Sequence, residues 1–130
     1  MSEAASELGA VEFRVDEDHP GPGTVVLSLR GDADLHVAPE LRDRIASAIA
    51  DGATMFVVDL SDTTFVDSMT LGVLLGAMKR LRARGGHLHV VVSRPELRRI
   101  FEITLLDRVF PIHASREEAL AAAAATSDGS

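Results

Sequence analysis

Ser68 follows Asp67 and stands just before an apolar helical stripe that begins at Leu71. A helix start carries unpaired backbone N–H groups and a partial positive charge, so a hydroxyl there is well placed to carry a phosphoryl group. A phosphoserine adds about −1.5 to −2 charges, and here it would stand beside the Asp67 carboxylate. At ~6 Å and an effective dielectric of ~20, one pair of like unit charges costs about 3 kcal/mol. A loss of ~2.7 kcal/mol weakens a complex about a hundredfold. One phosphate at Ser68 can therefore release a bound partner while the domain stays folded. The same residues also fit a plainer role, in which Asp67 or Ser68 caps the helix. Nucleophilic catalysis has less behind it. No G-x-S-x-G elbow surrounds Ser68, and nothing in the sequence brings one of the five histidines to it.

Two stretches concentrate polarity. One is Gly31-Asp32-Ala33-Asp34; the other runs from Asp59 through Asp62 to Asp67 and Ser68. Each follows an apolar run of strand type, so both are expected at one end of a sheet, where ligands and partners commonly engage. His87 and His89 alternate on a strand start and share a face, but no carboxylate accompanies them, which makes a weak metal signal. No residue pattern calls for a metal or a cofactor.

These residues must be held by alternating strands and helices. Val11, Phe13 and Val15 read as a half-buried strand, and 16–23, with two Pro and two Gly, as a turn. Thr24–Arg30 forms a second strand, a hairpin partner of the first, which Gly31 ends. Pro39 opens a helix with Leu41, Ile45, Ala48 and Ile49 inward. Met55–Leu60 is a central strand covered on both faces, and 61–67 a loop. The helix after Ser68 buries Leu71, Leu74, Leu75, Met78 and Leu81. It ends in Lys79, Arg80, Arg82 and Arg84 before Gly85-Gly86. Gly72 and Gly76, four apart, fit close packing of that helix against the sheet or a partner, core packing being the simpler expectation. His87–Val92 is a strand, Pro95 starts a helix with Leu97, Ile100 and Phe101 inward, and 109–112 is a short last strand. Ser115 and Glu118 fit a capping box, and the Ala-rich helix from Arg116 runs to about Ala125. The order β-β-α-β-α-β-α-β-α gives an α/β domain with a mixed, mostly parallel sheet of about five strands flanked by about four helices. Residues 10–125 form the single domain, with flexible ends at 1–9 and 126–130.

Composition narrows the partners. The chain has 130 residues and a formal charge of −7, so it repels nucleic acid and anionic membranes. Aromatics are 4%, with no Trp or Tyr, too few for a base-stacking surface. There is no cysteine. The N-terminus lacks the pattern of a signal peptide and no run is long enough for a membrane span, so a cytoplasmic location is expected.

The segment Phe65-Val66-Asp67-Ser68-Met69-Thr70-Leu71-Gly72-Val73-Leu74 resembles the phosphorylation segment of STAS-domain anti-sigma-factor antagonists. Val57-Val58-Asp59-Leu60-Ser61 and Gly31-Asp32-Ala33-Asp34-Leu35 resemble the motifs before it, and the element order matches from about Val11 to Ala125. The resemblance implies a STAS-like, non-enzymatic domain that binds an anti-sigma factor, a GHKL-type serine kinase, and so frees a sigma factor. It implies phosphorylation by that kinase at Ser68 and reversal by a PP2C-type phosphatase. Asp67 matches the acidic residue before the serine. Asp32 and Asp34 match the acidic loop against the partner, with Met69 and Thr70 at the same surface. The family usually carries small residues directly after the serine. Met69 is a bulky departure, and Thr70 is a second candidate acceptor. A relative that binds without phosphorylation, as a stressosome-like scaffold, fits the same fold. A small serine hydrolase fits less well, since it needs a base and an oxyanion site.

Overall fold

The computed structural model describes residues 14–33 and 37–129. Five strands form one sheet in the order β1-β2-β3-β4-β5. They are β1 Arg14–Gly21, β2 Thr24–Ala33, β3 Met55–Val66, β4 His87–Val91 and β5 Ile112–His113. The first pair is antiparallel and the rest are parallel. The helices are α1 Val37–Ala50, α2 Ser68–Arg82, α3 Pro95–Ile103 and α4 Arg116–Gly129, with a 3-10 turn at Leu106–Arg108 before β5. The mixed α/β architecture expected from the sequence is the one observed.

The boundaries differ in instructive places. Residues 16–21 continue β1, and the hairpin turn is only Pro22-Gly23, with Gly21 opposite Thr24. Gly23 has φ 72°, so Pro then Gly fill the two places a type II turn favours. The acidic residues of β1 are tolerated because alternate ones reach cations on opposite sides. Asp16 lies 3.7 Å from Arg30 and Asp18 3.0 Å from Arg116, while Glu17 meets Arg44 at 3.5 Å. Pro20 falls on an edge strand, where a missing N–H is harmless, at an irregularity in the pairing between Asp18 and Gly21. Val11 and Phe13, expected in this strand, lie outside the described residues.

Gly31 does not end β2. It has φ 87° beside a register shift, and β2 runs on to Ala33. The expected loop 61–67 is likewise strand up to Val66. The last strand sits later than expected, at Ile112–His113, because Val109 closes the 3-10 turn and Phe110 packs edge-on against Phe101, centroids 6.3 Å apart. The final helix extends to Gly129, past the expected end near Ala125. Its start carries the expected cap: Glu118 N–H donates to Ser115 Oγ at 3.1 Å, while the Glu118 carboxylate accepts from Ala114 N–H at 3.2 Å.

The two faces of the sheet are unequal. On one, α1, α2 and α3 bury a large apolar core that includes Leu41, Ile45, Phe56, Leu74, Leu81 and Phe101. On the other, α4 rests on a narrow seam of Val26, Val57, Val91 and Ala119, with Leu120 beside it. Arg116 fastens the start of α4 across three strands, reaching Asp18 and Ser28 Oγ at 3.0 and 3.1 Å and Asp59 at 3.9 Å. Between α2 and β4 the chain closes tightly at Gly86. Its N–H donates to Leu81 O at 2.7 Å, and a Cβ there would stand 2.3 Å from Thr54 O.

Candidate phosphoacceptor site

Ser68 is the first residue of α2 and is exposed. Asp67, in extended conformation at φ −91° and ψ 175°, is the N-cap, and its Oδ1 accepts from Thr70 N–H at 2.9 Å. Leu71 N–H donates to Asp67 O at 3.1 Å, the first regular helical bond. The capping role thus belongs to Asp67, and the Ser68 hydroxyl makes no hydrogen bond among the described residues. The cap occupies the third amide of the helix, leaving those of Ser68 and Met69 directed out of its end. No acidic residue lies within the first turn of α2. The positive end of the helix dipole meets the Asp67 carboxylate.

Two long strand extensions carry this tip. Beyond Asp59, β3 keeps pairing with β2 through two register shifts, with Gly31 opposite Thr63, Asp32 opposite Phe65 and Ala33 opposite Val66. Thr63, fully buried, donates its hydroxyl to Leu29 O at 2.9 Å and pins β3 to β2 just before the tip. Asp59 Oδ1 accepts from both Ser61 N–H and Ser61 Oγ, at 2.9 and 2.6 Å, which shapes the chain as it enters the extension. The backbone of Asp32 is thereby brought beside the residues leading to Ser68. Asp34 lies outside the described residues.

Phe65 and Met69 flank Ser68 as large exposed apolar side chains, 46% and 55% accessible. Thr70, expected at the same surface and as a second acceptor, is fully buried instead. Helical geometry turns it inward while Ser68 and Met69 face out. Gly72 and Gly76, expected to pack in the core, are exposed, with no atom within 4 Å of where a Cβ would stand. Thr63 was not anticipated. The spacing of buried Leu60, Thr63 and Val66 is three, which hides a strand behind a broken alternation.

His89 and His113 stand elsewhere. His89 is buried on the sheet face under α4, its Nδ1 3.0 Å from His113 Nε2. Burial, and secondarily the neighbouring His113 and His87, lower its pKa from 6.5 to about 4, so it is a neutral ring at physiological pH. Among the described residues no three His, Cys, Asp or Glu side chains are grouped to hold a metal ion. No described helix is long and apolar enough to cross a membrane.

Comparison with known proteins agrees with this fold. The family model described as STAS domain matches residues 14–119. The anti-sigma-B factor antagonist of Bacillus subtilis is 31% identical over 93 residues, 72% of this chain and 84% of that protein. The crystal structure of an anti-sigma factor antagonist from Mycobacterium paratuberculosis superposes with a TM-score of 0.73 at 32% identity, covering 88% of this chain and 94% of that one. The phosphorylated form of SpoIIAA, a Bacillus cell fate determinant, superposes with a TM-score of 0.68 at 30% identity, covering 82% and 96%.

Proposed function

The chain belongs to the STAS domain family, among its anti-sigma factor antagonists, and from that premise we propose that it binds an anti-sigma factor serine kinase and is released by phosphorylation of Ser68. The observation that carries this reading is the exposed Ser68 hydroxyl at the first position of α2, left free of the cap by Asp67. The unmodified domain occupies the kinase, and the sigma factor is then free to act. The kinase, of GHKL type, transfers the γ-phosphoryl group of ATP to Ser68 Oγ, which loses its proton; ADP leaves. A PP2C-type phosphatase hydrolyses the phosphoserine and restores the binding form. Both steps fit a cytoplasmic setting.

The physical basis is local. Outward amides at the helix end accept the phosphate with little effect on the fold. Against a docked protein the same dianion adds to Asp67 and must lose water, which is unfavourable at an interface. Phe65 and Met69 supply exposed apolar surface on either side of Ser68, and Asp32 stands on the neighbouring strand end.

The test is a binding titration of the purified kinase with wild type, Ser68→Ala and Ser68→Asp, in ADP and in ATP. Ser68→Ala is expected to bind under both conditions, Ser68→Asp to bind about a hundredfold more weakly, and wild type to be lost in ATP as a peptide spanning 65–74 gains one phosphate. Equal binding by all three proteins, with no phosphate on that peptide, would refute the switch and favour a STAS domain that binds without modification.

A further inference from the structure

A shallow groove of about 350 Å³ lies between α1 and α2, lined by Ala38, Pro39, Arg42, Met69, Gly72 and Gly76 among others. It begins at Met69, next to Ser68, and runs down α2. We propose that this groove receives a large apolar side chain of the anti-sigma factor, with a carboxylate of the same partner resting on Arg42; the inference builds on the reading of Ser68 given above.

Four observations carry it. The first concerns what the fold itself requires. Gly72 and Gly76 sit within α2, and neither is among the glycines with positive φ. Open space surrounds the Cβ position of each. Alanine would fit both sites and suit a helix better, since glycine loses more backbone freedom there. The isolated domain therefore gains nothing from either glycine, whereas a partner that approaches the helix backbone does. The second is Met69, 55% exposed at the mouth of the groove, a flexible and polarisable side chain that moulds to an apolar insert. The third is Arg42, exposed on the rim and without an ion pair among the described residues, whereas its neighbour Arg44 is held by Glu17 and Glu40. In a chain of net charge −7, an exposed guanidinium at a groove edge calls for an acidic partner. The fourth is position: the groove is continuous with Ser68 through Met69, so one partner can cover both, and a phosphate at Ser68 would then lie at the margin of the same contact.

The probe is the purified serine kinase that binds wild type, titrated with Gly72→Ala, Gly76→Ala, the double variant and Arg42→Glu, with Ser68→Asp as control. The alanine variants are expected to unfold at or above the wild-type temperature yet bind the kinase about tenfold more weakly, because a methyl group fills space the partner needs. Arg42→Glu is expected to slow association about tenfold at low salt, with the difference shrinking as salt rises. Three results would overturn the groove while leaving the Ser68 reading intact: alanine variants that bind as wild type while Ser68→Asp is released, alanine variants that unfold more easily, or an altered self-association of the chain with unchanged kinase binding, which would assign the groove to a second copy. If Ser68→Asp itself binds as wild type, the Ser68 reading fails, and the groove assignment fails with it.

Discussion

Asp67 performs two separable tasks, and two substitutions divide them. Its carboxylate accepts the Thr70 N–H at 2.9 Å, and its charge stands next to Ser68. Asp67→Ala removes both and should cost about 1 kcal/mol of stability, the usual loss of an N-cap. Asp67→Asn keeps a good cap and removes only the charge, so its cost should be about a few tenths of a kcal/mol. The charge is then read on the phosphorylated protein. Across ~6 Å, a carboxylate and a phosphate repel by about 0.7 kcal/mol in bulk water and about 3 kcal/mol at an effective dielectric of ~20. Since Ser68 is exposed and Asp67 half-buried, the lower part of that range applies. The second pKa of phosphoserine 68 should thus be about 0.5 to 1 lower in Asp67→Asn than in wild type. Chemical denaturation measures the first effect and phosphorus NMR titration the second. Two outcomes would break the reasoning: Asp67→Asn as unstable as Asp67→Ala, or a phosphate pKa that does not fall when the charge is removed.

Two further predictions concern the scaffold. Gly86→Ala would place a methyl carbon 2.3 Å from Thr54 O, a carbonyl that also accepts from His87 N–H at 2.9 Å, so the backbone must shift. The expected loss is about 2 to 4 kcal/mol by denaturation, and a loss near zero would show that the α2–β4 turn is looser than described. His89, with its pKa lowered to about 4, takes no proton in either state well above 6.5. As pH falls from 6.5 towards 4 the unfolded chain binds a proton that the folded chain refuses, so stability drops, by up to about 3 kcal/mol. His89→Gln should flatten that decline between pH 6.5 and 4.5 in pH-dependent denaturation; an unchanged slope would mean the ring is not the source.

The sequence announces the periodic parts of this domain well. Leu41, Ile45 and Ile49 on α1, and Leu71, Leu74, Met78 and Leu81 on α2, repeat at helical spacing and are all buried. The unbroken run Met55–Leu60 reads as a central strand because both of its faces are covered. The site is legible as far as helix geometry reaches: Asp67 and Ser68 before an apolar stripe mark a helix start, while the Asp67–Thr70 hydrogen bond decides which of the two is the cap and leaves Ser68 exposed. What escapes is decided by distant contacts. Residues 16–21 read as a turn because nothing local says that Arg30, Arg44 and Arg116 will answer their charges. Residues 61–66 read as a loop because two register shifts break the alternation of two. Thr70 looks like its neighbours in sequence, and only the direction of its side chain from the first helical turn separates it from them. The glycines of α2 read as core because the spacing of four fits close packing, while which side of the helix they occupy depends on where α1 lies.

The thin seam under α4 has its own consequence. A helix that adheres through small side chains such as Ala119 and Ala123, with Leu120 and Arg116 beside them, will lift away before the sheet and its other three helices give up their much larger core. Such a departure would bare Val26, Val57 and Val91, a greasy row laid across adjacent strands, and proteins that meet along a surface of this kind stick. On warming, clumping should therefore set in while most of the chain is still native, and the tail of the molecule would set its shelf life more than its heart does.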